Sequence, residues 1–545
     1  MADDWKNKLY FGDNLDIMRQ YIPDESVDLI YLDPPFNSKA TYNVLFAEKN
    51  GTRSAAQITA FEDTWHWDMK TEAAYREIVS EGPKKLADLI QSLRSFLGQN
   101  DMMAYLVMMA IRLVEMRRVL RDTGSLYLHC DPTASHYLKL VLDASFGAEG
   151  FRNEIVWKRT GAHNSAKRYG PVHDVILYYS KSDRYIWNQQ YQAQDEYVEQ
   201  RYTYVDDRER RFYPVRLIAA GTRKGSSGQS WRGIDVTSKG NHWRYTIEKL
   251  EELDAAGDIY WPPGGGLPRL KMYAENAKGS LAQDWWDDIS AINSQALERL
   301  GYPTQKPLAL LERIIKASSN EGDLVLDPFC GCGTTISVAE QFNRRWIGID
   351  ITHLAITLMR HRLENAFGTE LAPYEVIGDP KDLSSAQALA EQDRYQFEWW
   401  ALGKVAARPA QDKRKGADTG IDGVLNFFDD NSGKAKKVIV QVKSGHVNAA
   451  YVRDLKGVLE REKSPIGVLI TLEEPTRPML QEAAAGGFYE PEHFPGLRYP
   501  RLQILTIEGL LSGKHIEYPR LAPEATFKRA ERKRKAQDGE QKALL

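Results

Sequence analysis

The stretch that decides the fold is Val325-Leu326-Asp327-Pro328-Phe329-Cys330-Gly331-Cys332-Gly333-Thr334-Thr335, an apolar strand that runs into a glycine-rich loop and opens a helix. Glycines let a backbone approach a ligand closely, and open α/β sheets bind ligands at the carboxyl ends of their strands. No Lys follows the second glycine and the pattern is not GxGxxG, so neither a phosphate-binding P-loop nor a dinucleotide loop is present. The stretch therefore predicts an open α/β sheet whose ligand site lacks a phosphate clamp.

A carboxylate ends the next apolar strand. Trp346-Ile347-Gly348-Ile349 runs into Asp350, whose carboxylate is well placed to accept hydrogen bonds from ribose hydroxyls. The loop and the acid together indicate a nucleoside cofactor. Cys330 and Cys332 have no second Cys or His pair to complete a metal site, so we expect them to pack within the loop rather than bind zinc.

Strands and helices alternate on both sides of this stretch, as in parallel α/β folds. Apolar runs predict strands at residues 9–11, 27–32, 125–129, 153–158, 174–179, 324–326 and 345–350. Helical patterns occupy 15–21, 71–100, 104–121, 134–146, 307–318, 334–342 and 352–367. A Gly-, Trp- and Arg-rich insertion at about 190–300 interrupts the alternation, and a polar segment at 381–391 precedes a second module. The predicted organisation is a domain over 1–385, a smaller module over 392–523 and a basic tail over 524–545.

Composition limits the class of protein. The 545 residues carry 72 Lys and Arg against 75 Asp and Glu, a formal net charge of -3 that, taken alone, disfavours a polyanionic partner. Three cysteines, and a start without the basic and apolar parts of a signal peptide, indicate a reduced, cytoplasmic protein. The most apolar helical stretch, 104–116, is short and contains Arg112 and Glu115, so we expect no membrane span.

A second loop at the end of an apolar strand carries Asp33-Pro34-Pro35-Phe36. Prolines lack N–H donors, so this loop offers carbonyl acceptors beside a carboxylate and an aromatic ring. The set suits an amino group on a planar ring: Asp33 and the Pro34 carbonyl accept its two hydrogens while Phe36 stacks on the ring face. A proline turn with a buried Phe is the alternative interpretation of the same four residues.

The two loops together resemble the DNA amino-methyltransferases, which transfer a methyl group from S-adenosylmethionine to an exocyclic nitrogen of adenine or cytosine. The resemblance covers residues 9–367 and implies an α/β fold, a Rossmann-like methyltransferase sheet with an inserted target-recognition region. The catalytic tetrad precedes the cofactor loop, which is similar to the permuted β group of that family. Asp at the first position of the tetrad resembles the adenine-N6 enzymes more than the cytosine-N4 enzymes.

The resemblance also implies which residues bind the cofactor. Gly12-Asp13 resembles the motif at the cofactor's adenine, where Asp13 accepts from the adenine amine; a helix N-cap is the alternative role of Asp13. Because a duplex base cannot reach such a site, the target base must be flipped out of the stack. The other implied cofactor-binding residues are Asp327, Phe329, Gly331, Gly333 and Thr334 in the loop, Asp350 at the ribose, and Lys306 in Thr304-Gln305-Lys306-Pro307, a segment that covers the methionine end.

The insertion at about 190–300 combines positive charge with aromatic rings. Arginine can clamp guanine edges or phosphates, and aromatic rings can fill the gap that a flipped base leaves. A solvated charged face is the alternative interpretation. The residues that we expect to bind DNA are Arg211, Arg216, Arg223, Lys224, Trp231 and Arg232.

The second module carries another set of polar side chains. Asp422 lies in a Gly-rich turn, and Gln441 and Lys443 point the same way from alternating positions of an apolar strand, so an acid, an amide oxygen and an ammonium can converge on one edge. Glu398, on a preceding helix, is a further candidate. Over residues 395–511 this order resembles the Mrr-type PD-(D/E)xK nucleases, with Gln441 in place of the usual Glu. The resemblance implies a smaller α/β restriction-endonuclease-like domain. In it, Asp422, Gln441 and Glu398 hold Mg²⁺ while Lys443 orients the attacking water.

These observations predict a site-specific adenine-N6 DNA methyltransferase with a fused Mg²⁺-dependent nuclease-like domain, as in restriction-modification or phage defence. A solitary methyltransferase whose second module only binds DNA or a partner is the alternative. The expected partner is double-stranded DNA, no membrane is expected, and a homodimer stays open. The sequence contains no GxxxxGK[ST], so a nucleotide-driven motor requires a separate motor or restriction subunit.

Overall fold

The computed structural model describes residues 5–35, 66–161, 169–192, 201–276, 280–293, 296, 298–300, 304–410, 420–429, 435–491, 496–519 and 535. The described parts of Met1–Asn188 and Asp284–Gln541 form one compact unit. The described parts of Gln189–Gln283 form a second. The first unit contains the two largest sheets of the described chain.

Helices and strands alternate along much of the first unit, as the apolar pattern predicts, and one of the helices, Ile247–Ala255, belongs to the second unit. The helices are α1 (Asn14–Tyr21), α2 (Met69–Glu81), α3 (Lys84–Leu97), α4 (Asp101–Val119), α5 (Pro132–Phe146), α6 (Ile247–Ala255), α7 (Leu308–Ser318), α8 (Thr334–Gln341), α9 (His353–Phe367), α10 (Leu383–Gln392), α11 (Arg394–Lys404), α12 (Ala449–Glu462), α13 (Arg477–Ala484) and α14 (Ile507–Leu511). In the described part of the chain, no helix combines the length and apolar character needed to cross a bilayer.

The longest described strands belong to the first unit, and most strands of the second unit have two or three residues. They are β1 (Asn7–Phe11), β2 (Val27–Leu32), β3 (Leu120–Cys130), β4 (Phe151–Lys158), β5 (His173–Ser180), β6 (Tyr191–Gln192), β7 (Tyr204–Val205), β8 (Arg211–Arg216), β9 (Ile218–Ala220), β10 (Asn241–Trp243), β11 (Ile259–Tyr260), β12 (Arg269–Tyr273), β13 (Ser280–Leu281), β14 (Trp285–Trp286), β15 (Leu324–Asp327), β16 (Arg345–Asp350), β17 (Tyr374–Ile377), β18 (Arg408–Pro409), β19 (Gly423–Phe427), β20 (Lys436–Lys443), β21 (Ile466–Thr471), β22 (Phe488–Tyr489), β23 (Tyr499–Pro500) and β24 (Leu502–Thr506). Single 3-10 turns lie at Ala148–Gly150, Ser226–Gly228, Thr237–Lys239, Ala274–Asn276 and Gly368–Glu370.

The large sheet contains, among the described residues, nine strands in the order β14-β4-β5-β3-β2-β15-β16-β1-β17. Strands β3, β2, β15, β16, β1 and β17 run parallel, and β5 is antiparallel to β3 and β4. Every residue of β2 and β15 is buried, which is typical of parallel strands covered on both faces. The predicted α/β fold class is confirmed.

Two strands that are far apart in the sequence are neighbours in the centre of this sheet. β2 pairs with β15 in parallel, and Leu29 lies opposite Val325. On the other side of β15 follow β16 and then β1, with Phe11 opposite Asp350. The carboxyl ends of parallel strands share one edge of a sheet, so the loops after β1, β2, β15 and β16 meet there.

The secondary structure of two segments differs from the sequence prediction. The stretch 71–100 forms two helices, because Pro83 cannot continue the hydrogen-bond pattern of a helix. The polar segment 381–391 belongs to helix α10, which buries Ala386 and Leu389. Its mostly polar surface concealed this apolar side.

The second unit is built from short antiparallel strands. β11, β12, β8 and β7 form one sheet, while β10 pairs with β9 and β13 pairs with β6. Aromatic side chains fill much of the small core beside helix α6. The buried residues of this core are Leu217, Trp231, Val236, Trp243, Leu250 and Ile259.

The C-terminal part of the first unit has its own sheet, in the order β18-β19-β20-β21-β24. β19 is antiparallel to β18 and β20, whereas β21 is parallel to β20 and β24. The core beneath this sheet continues into the large-sheet part, because Leu354 and Leu358 of α9 pack in one hydrophobic cluster with Trp400 and Leu402 of α11. The smaller α/β module therefore shares its core with helix α9.

Candidate active site

Acidic side chains gather at the carboxyl edge of the large sheet. Asp33 follows β2, and Asp327 and Asp350 end β15 and β16. Asp13 follows β1 and begins α1. The charges of Asp33 and Asp350 both act on the carboxyl of Asp327. The structure thus brings together the acids of the two loops that the sequence separates widely.

The glycine-rich loop between β15 and α8 needs its glycines for the turn itself. Gly331 and Gly333 have φ values of 50° and 71°, in the left-handed region that side chains disfavour. A Cβ atom on Gly333 would lie 2.2 Å from Cγ of Met359. Gly331 also faces the ribose acid predicted from the sequence, since its N–H donates to Asp350 Oδ2 at 2.9 Å.

The Asp350 carboxylate is oriented by the residues that follow it. Thr352 donates its backbone N–H and its hydroxyl to Asp350 Oδ1, each at 2.9 Å. Burial raises the pKa of Asp350 to about 6, although hydrogen bonds from Thr352 and Gly331 oppose the shift. A carboxylate held this way keeps lone pairs for further donors, such as ribose hydroxyls.

Asp327 lies buried at the start of the loop. Burial raises the pKa of Asp327 to about 7; hydrogen bonds from Thr335 and Phe329 lower it, and the charges of Asp33 and Asp350 raise it. The Phe329 N–H donates to Asp327 Oδ1 at 3.1 Å. A carboxyl with a pKa near neutrality is readily ionised when a cation lies beside it.

The second half of the loop is held from behind by a buried arginine. Arg362 of α9 donates to the carbonyl of Cys332 at 3.1 Å and to Oγ1 of Thr334 at 3.0 Å. Thr334 is the first residue of α8, directly after Gly333. Sequence reasoning missed Arg362, because one arginine in a helical pattern carries no motif.

Lys306 contacts the first residue of the catalytic tetrad. Its Nζ donates to Asp33 Oδ2, and the two side chains are only 12% and 17% exposed. The ion pair is therefore shielded from most of the solvent. Sequence reasoning selected both residues but not their contact. Pro34 and Pro35 follow Asp33 in the described chain, whereas Phe36 lies outside the described residues.

Asp13 is the N-cap of α1, which is the alternative role considered from the sequence. Its carboxylate accepts the Leu15 N–H at 2.8 Å, and the buried Arg112 donates to its two oxygens at 2.9 and 3.1 Å. Arg112 also donates to Asn14 at 2.6 Å, and Asn14 donates to the Pro328 carbonyl at 2.8 Å. These contacts connect the loop after β1 to the glycine-rich loop. Arg112 is a charged residue within an otherwise apolar helix, and this pattern could have identified it as a buried partner of an acid.

A buried polar chain crosses the sheet behind the catalytic loop. The Tyr31 hydroxyl lies 3.0 Å from His129 Nδ1, and His129 Nε2 lies 3.2 Å from Asp174 Oδ2. Arg159 Nε lies 3.4 Å from the other oxygen of Asp174. Burial opposes ionisation of Asp174, but its hydrogen bond to His129 and its electrostatic interactions with His129 and Arg159 hold its pKa below the usual value. This chain joins β2, β3 and β5, and motif reasoning missed it because each residue stands alone in its strand.

Most of the predicted DNA-binding residues of the insertion are exposed. Arg216, Arg223 and Lys224 are exposed to solvent. Arg211 is also exposed, but its Nε donates to the Tyr202 carbonyl at 3.0 Å. These four side chains extend from a unit whose interior is aromatic, so their charges lie on its surface.

Trp231 does not match the prediction of a ring that faces DNA. It is 1% exposed, stands in the core of the second unit, and donates through Nε1 to Glu251 at 2.7 Å. The neighbouring Arg232 is exposed and lies 2.9 Å from Glu251 and 2.8 Å from Asp254. The apolar surface of Trp231 is needed to fill a small core, which a motif of interleaved charges and rings does not reveal.

The second module brings three of its predicted site residues close together. Lys443 Nζ lies 3.7 Å from Asp422 Oδ2, and the same oxygen accepts the Val442 N–H at 2.7 Å. Gln441 donates its amide to the Gly420 carbonyl. The Gln441 Oε1 atom is buried and has no hydrogen-bond partner in the described part of the chain.

This donor set does not fit Mg²⁺. Mg²⁺ binds mainly carboxylate oxygens and keeps several waters in an octahedral arrangement, whereas Gln441 offers a neutral amide oxygen and Asp422 is buried. Glu398 lies on α11 and is partly exposed. Among the described residues, no three His, Cys, Asp or Glu side chains form a group that could hold a metal ion.

Comparison with known sequence families distinguishes the two parts of the chain. The family described as DNA methylase, of the N6/N4 methyltransferase type, matches residues 27–360. The family described as NACHT-associated inactive Restriction Endonuclease 1 matches residues 396–511. The first match contains seven of the nine described strands of the large sheet, all except β1 and β17, and the second contains the smaller C-terminal sheet.

Curated relatives are similar to a part of this chain. The type II methyltransferase M.EcaI of Enterobacter cloacae is 35% identical over 347 residues, 63% of this chain and 66% of that protein. The type III restriction-modification enzyme StyLTI Mod subunit of Salmonella typhimurium is 28% identical over 353 residues, 62% of this chain and 50% of the subunit. The DNA adenine methyltransferase YhdJ of Escherichia coli is 55% identical over 356 residues, 65% of this chain and 82% of that protein.

The chain spans about two thirds of the length of M.EcaI and half of the StyLTI Mod subunit. The family match nevertheless covers more than half of the present chain, and its bounds enclose the Asp33-Pro34-Pro35 loop, the glycine-rich loop and Asp350. The chain therefore belongs to the DNA methylase family of N6/N4 methyltransferases, and it carries a restriction-endonuclease-like domain C-terminal to the methylase.

Proposed function

We propose that this chain transfers a methyl group from S-adenosylmethionine to N6 of an adenine flipped out of double-stranded DNA. The proposal rests on the adjacency of β2 and β15, which places the Asp33-Pro34-Pro35 loop beside the loop of residues 327–335. One loop offers acceptors to an amino group, and the other offers glycine backbone near a carboxylate that suits ribose. The similarity to a protein described as a DNA adenine methyltransferase favours adenine over cytosine.

The residues at the sheet edge fit S-adenosylmethionine. Asp327 and Asp350 have raised pKa values, and a ligand with cationic and hydroxyl groups stabilises both as carboxylates. Asp13 keeps lone pairs beyond its N-cap bond and is more than one third exposed, so it can also accept from an adenine amine. The residues that we assign to the cofactor are Asp13, Asp327, Phe329, Gly331, Gly333, Thr334 and Asp350.

The chain contributes alignment and hydrogen-bond acceptors to the reaction. Bound S-adenosylmethionine supplies a methyl group on a sulfonium, which leaves as a neutral thioether. Asp33 and the Pro34 carbonyl accept hydrogen bonds from the two amino hydrogens of the base, which favours a pyramidal nitrogen with an available lone pair. When the N–C bond has formed, one of these two hydrogens leaves the nitrogen as a proton. We assign stacking on the base to Phe36. Lys306 holds the Asp33 carboxylate by a charge-assisted hydrogen bond before the base enters.

Transfer of a labelled methyl group tests this proposal. The purified full chain, S-adenosylmethionine and plasmid DNA should give N6-methyladenine on nucleoside mass spectrometry. Asp33→Ala should give none, whereas Asp183→Ala, at an exposed acid of the same unit, should label normally. N4-methylcytosine as the product would contradict the adenine assignment, and labelling by Asp33→Ala would contradict the catalytic one. No labelling of any DNA would overturn the proposal.

We infer that the insertion binds DNA through its exposed cations. Arg216, Arg223 and Lys224 are the first candidates, because each is exposed to solvent. Arg211 and Arg232 contribute after exchanging their present partners, a carbonyl and two carboxylates. Contacts to phosphate position such a unit on the duplex without reading its sequence.

For the second module we favour a silent domain that binds DNA or a partner. Its description as an inactive restriction endonuclease and the closed position of the Gln441 oxygen support this assignment. The competing hypothesis is a nuclease in which Asp422, Gln441 and Glu398 hold Mg²⁺ and Lys443 orients water. Incubation of the full chain with methylated and unmethylated plasmid in Mg²⁺ should leave both intact. Cleavage that Asp422→Ala abolishes would establish the competing hypothesis.

We also propose that the motifs follow the order of the permuted β group. The methyltransferase domain ends at residue 385 and the second module begins at residue 392. A separate restriction subunit is a further proposed partner. The catalytic loop precedes the cofactor loop in the chain, as that group requires. The similarity to a Mod subunit of a type III restriction-modification enzyme supports a partner subunit. Light scattering of the purified chain, with and without a DNA duplex, distinguishes a monomer from a homodimer.

A further inference from the structure

A glutamine of the C-terminal module reaches the helix that follows the predicted ribose acid. Gln396 Oε1 on α11 accepts the backbone N–H of His353 at 3.2 Å. His353 is the first residue of α9, directly after Thr352, which donates twice to Asp350. The first N–H groups of a helix have no partner within the helix. Gln396 supplies one such partner from a separate module.

A second set of polar contacts joins the same two helices. Lys404 Nζ on α11 lies 2.9 Å from Asp379 Oδ2, and Asp379 Oδ1 lies 3.4 Å from His353 Nδ1. The His353 ring stacks on Phe11 at the end of β1, with ring centroids 3.6 Å apart. Phe11 lies opposite Asp350 in the sheet. The start of α9 is therefore fixed on one side by the module and on the other by the strand beside the ribose acid.

The apolar contacts reach the glycine-rich loop itself. Cys332 of that loop and Leu358 of α9 belong to one hydrophobic cluster with Trp400 of α11. A Cβ atom on Gly403 would lie 2.4 Å from Oγ1 of Thr357, so α11 and α9 approach as closely as a glycine permits. Both the loop and the helix behind it depend on α11 for their packing.

We propose that the C-terminal module is a structural part of the cofactor site, with Gln396 as the positioning residue. Gln396 sets the start of α9 and, through Thr352, the orientation of the Asp350 carboxylate. The inference rests on the proposed function, because it takes Asp350 as the ribose acid. By thermodynamic linkage, cofactor binding in turn stabilises α11. Any ligand that moves α11 then changes the affinity for the cofactor without touching it.

Calorimetric titration of the full chain with S-adenosylmethionine tests the contact. Gln396→Ala leaves the His353 N–H without its acceptor and should weaken cofactor binding by roughly 5-fold to 20-fold. Gln396→Glu keeps an acceptor oxygen and should restore most of the affinity. Gln392→Ala, at an exposed glutamine one helix earlier, should bind as the wild type does. Thermal unfolding without cofactor should show that each variant is folded.

Hydrogen exchange supplies a readout that is independent of activity. Cofactor should slow amide exchange in Arg394–Lys404 of the wild type and of Gln392→Ala, and should slow it less in Gln396→Ala. Wild-type affinity in Gln396→Ala, with unchanged protection of that helix, would overturn the inference and leave the proposed function intact. A wild-type chain that binds no S-adenosylmethionine would contradict the proposed function and the inference with it.

Discussion

Lys306 and Asp33 form a shielded ion pair at the carboxyl edge of the large sheet. Lys306 lies just before helix α7 and Asp33 just after β2, so the contact joins two segments that only the tertiary fold brings together. The amino group of a target base and the Lys306 ammonium must therefore share the Asp33 carboxylate, whose two oxygens offer enough lone pairs for both.

Replacement of Lys306 should separate catalysis from cofactor binding. Lys306→Met removes the donor that orients Asp33, and we expect kcat to fall about 100-fold, as for other lost electrostatic contacts in active sites. The KM for S-adenosylmethionine should change far less. Lys306→Arg should keep part of the rate, and Lys84→Met, at an exposed lysine, should keep all of it. A rise in KM alone would instead place Lys306 at the methionine end of the cofactor.

The free energy of unfolding should depend on pH through Asp327. Its pKa of about 7 in the folded chain lies above the value of about 3.9 for an unfolded aspartate. Between these values only the folded chain holds the proton, so the free energy of unfolding falls as pH rises from 4 to 7, by up to about 4 kcal/mol for this one group. Asp327→Asn should remove the part of the decrease that comes from Asp327 and leave the smaller part that comes from the raised pKa of Asp350. Urea denaturation without cofactor at pH 5 and pH 8 measures it, and equal decreases in wild type and variant would contradict the assignment.

Two glycine replacements should have opposite effects on stability. Gly333→Ala places a methyl group against Met359 in a left-handed turn and should lower the free energy of unfolding by about 2 to 4 kcal/mol. Gly457→Ala lies on an exposed face of α12 with open space around its Cβ position and should raise it by about 0.5 to 1 kcal/mol. Denaturant titration of both variants measures the two changes in the free energy of unfolding. An unchanged free energy of unfolding in Gly333→Ala would show that the loop has room to rearrange.

The insertion should respond differently to loss of an exposed cation and loss of a core ring. Lys224→Ala should weaken DNA binding and reduce the slope of log affinity against log salt by about 1 if Lys224 neutralises one phosphate. Trp231→Ala should lower the thermal stability of the second unit, because its ring fills the core there. Fluorescence anisotropy over a salt series and a melting curve measure the two effects. A stable Trp231→Ala unit with lost DNA binding would restore the DNA-facing role.

Local patterns predicted the sheet and its loops because each apolar strand and each loop of special residues lies within a short segment. Asp33 and Asp350 were found because each lies at the end of an apolar strand, and Asp327 was found because its loop resembles the cofactor loop of a known family. Contacts between distant side chains were not found. Arg112, which joins Asp13 to Asn14, and Gln396, which reaches His353, depend on the register of helices whose packing no short pattern encodes.

The remaining differences between the sequence prediction and the structure concern side chains that are buried. Trp231 looks like a base-stacking ring in a basic segment, but a small unit with short strands has few apolar residues and uses this one internally. The oxygen of Gln441 looks like a metal ligand on its strand, yet it is closed to solvent. Sequence alternation shows which face of a strand a residue occupies, not which neighbour covers it.

The pairing of β2 with β15 has a consequence for synthesis of the chain. β2 leaves the ribosome almost 300 residues before its partner, which at typical elongation rates is roughly 15 to 60 s. Until then the nascent chain exposes the edge of a strand that is apolar except for Asp28, which is a site for aggregation. The N-terminal half therefore cannot complete its sheet on its own. Additional chaperone during expression should raise the yield of folded protein, whereas the stability of the finished protein should not change.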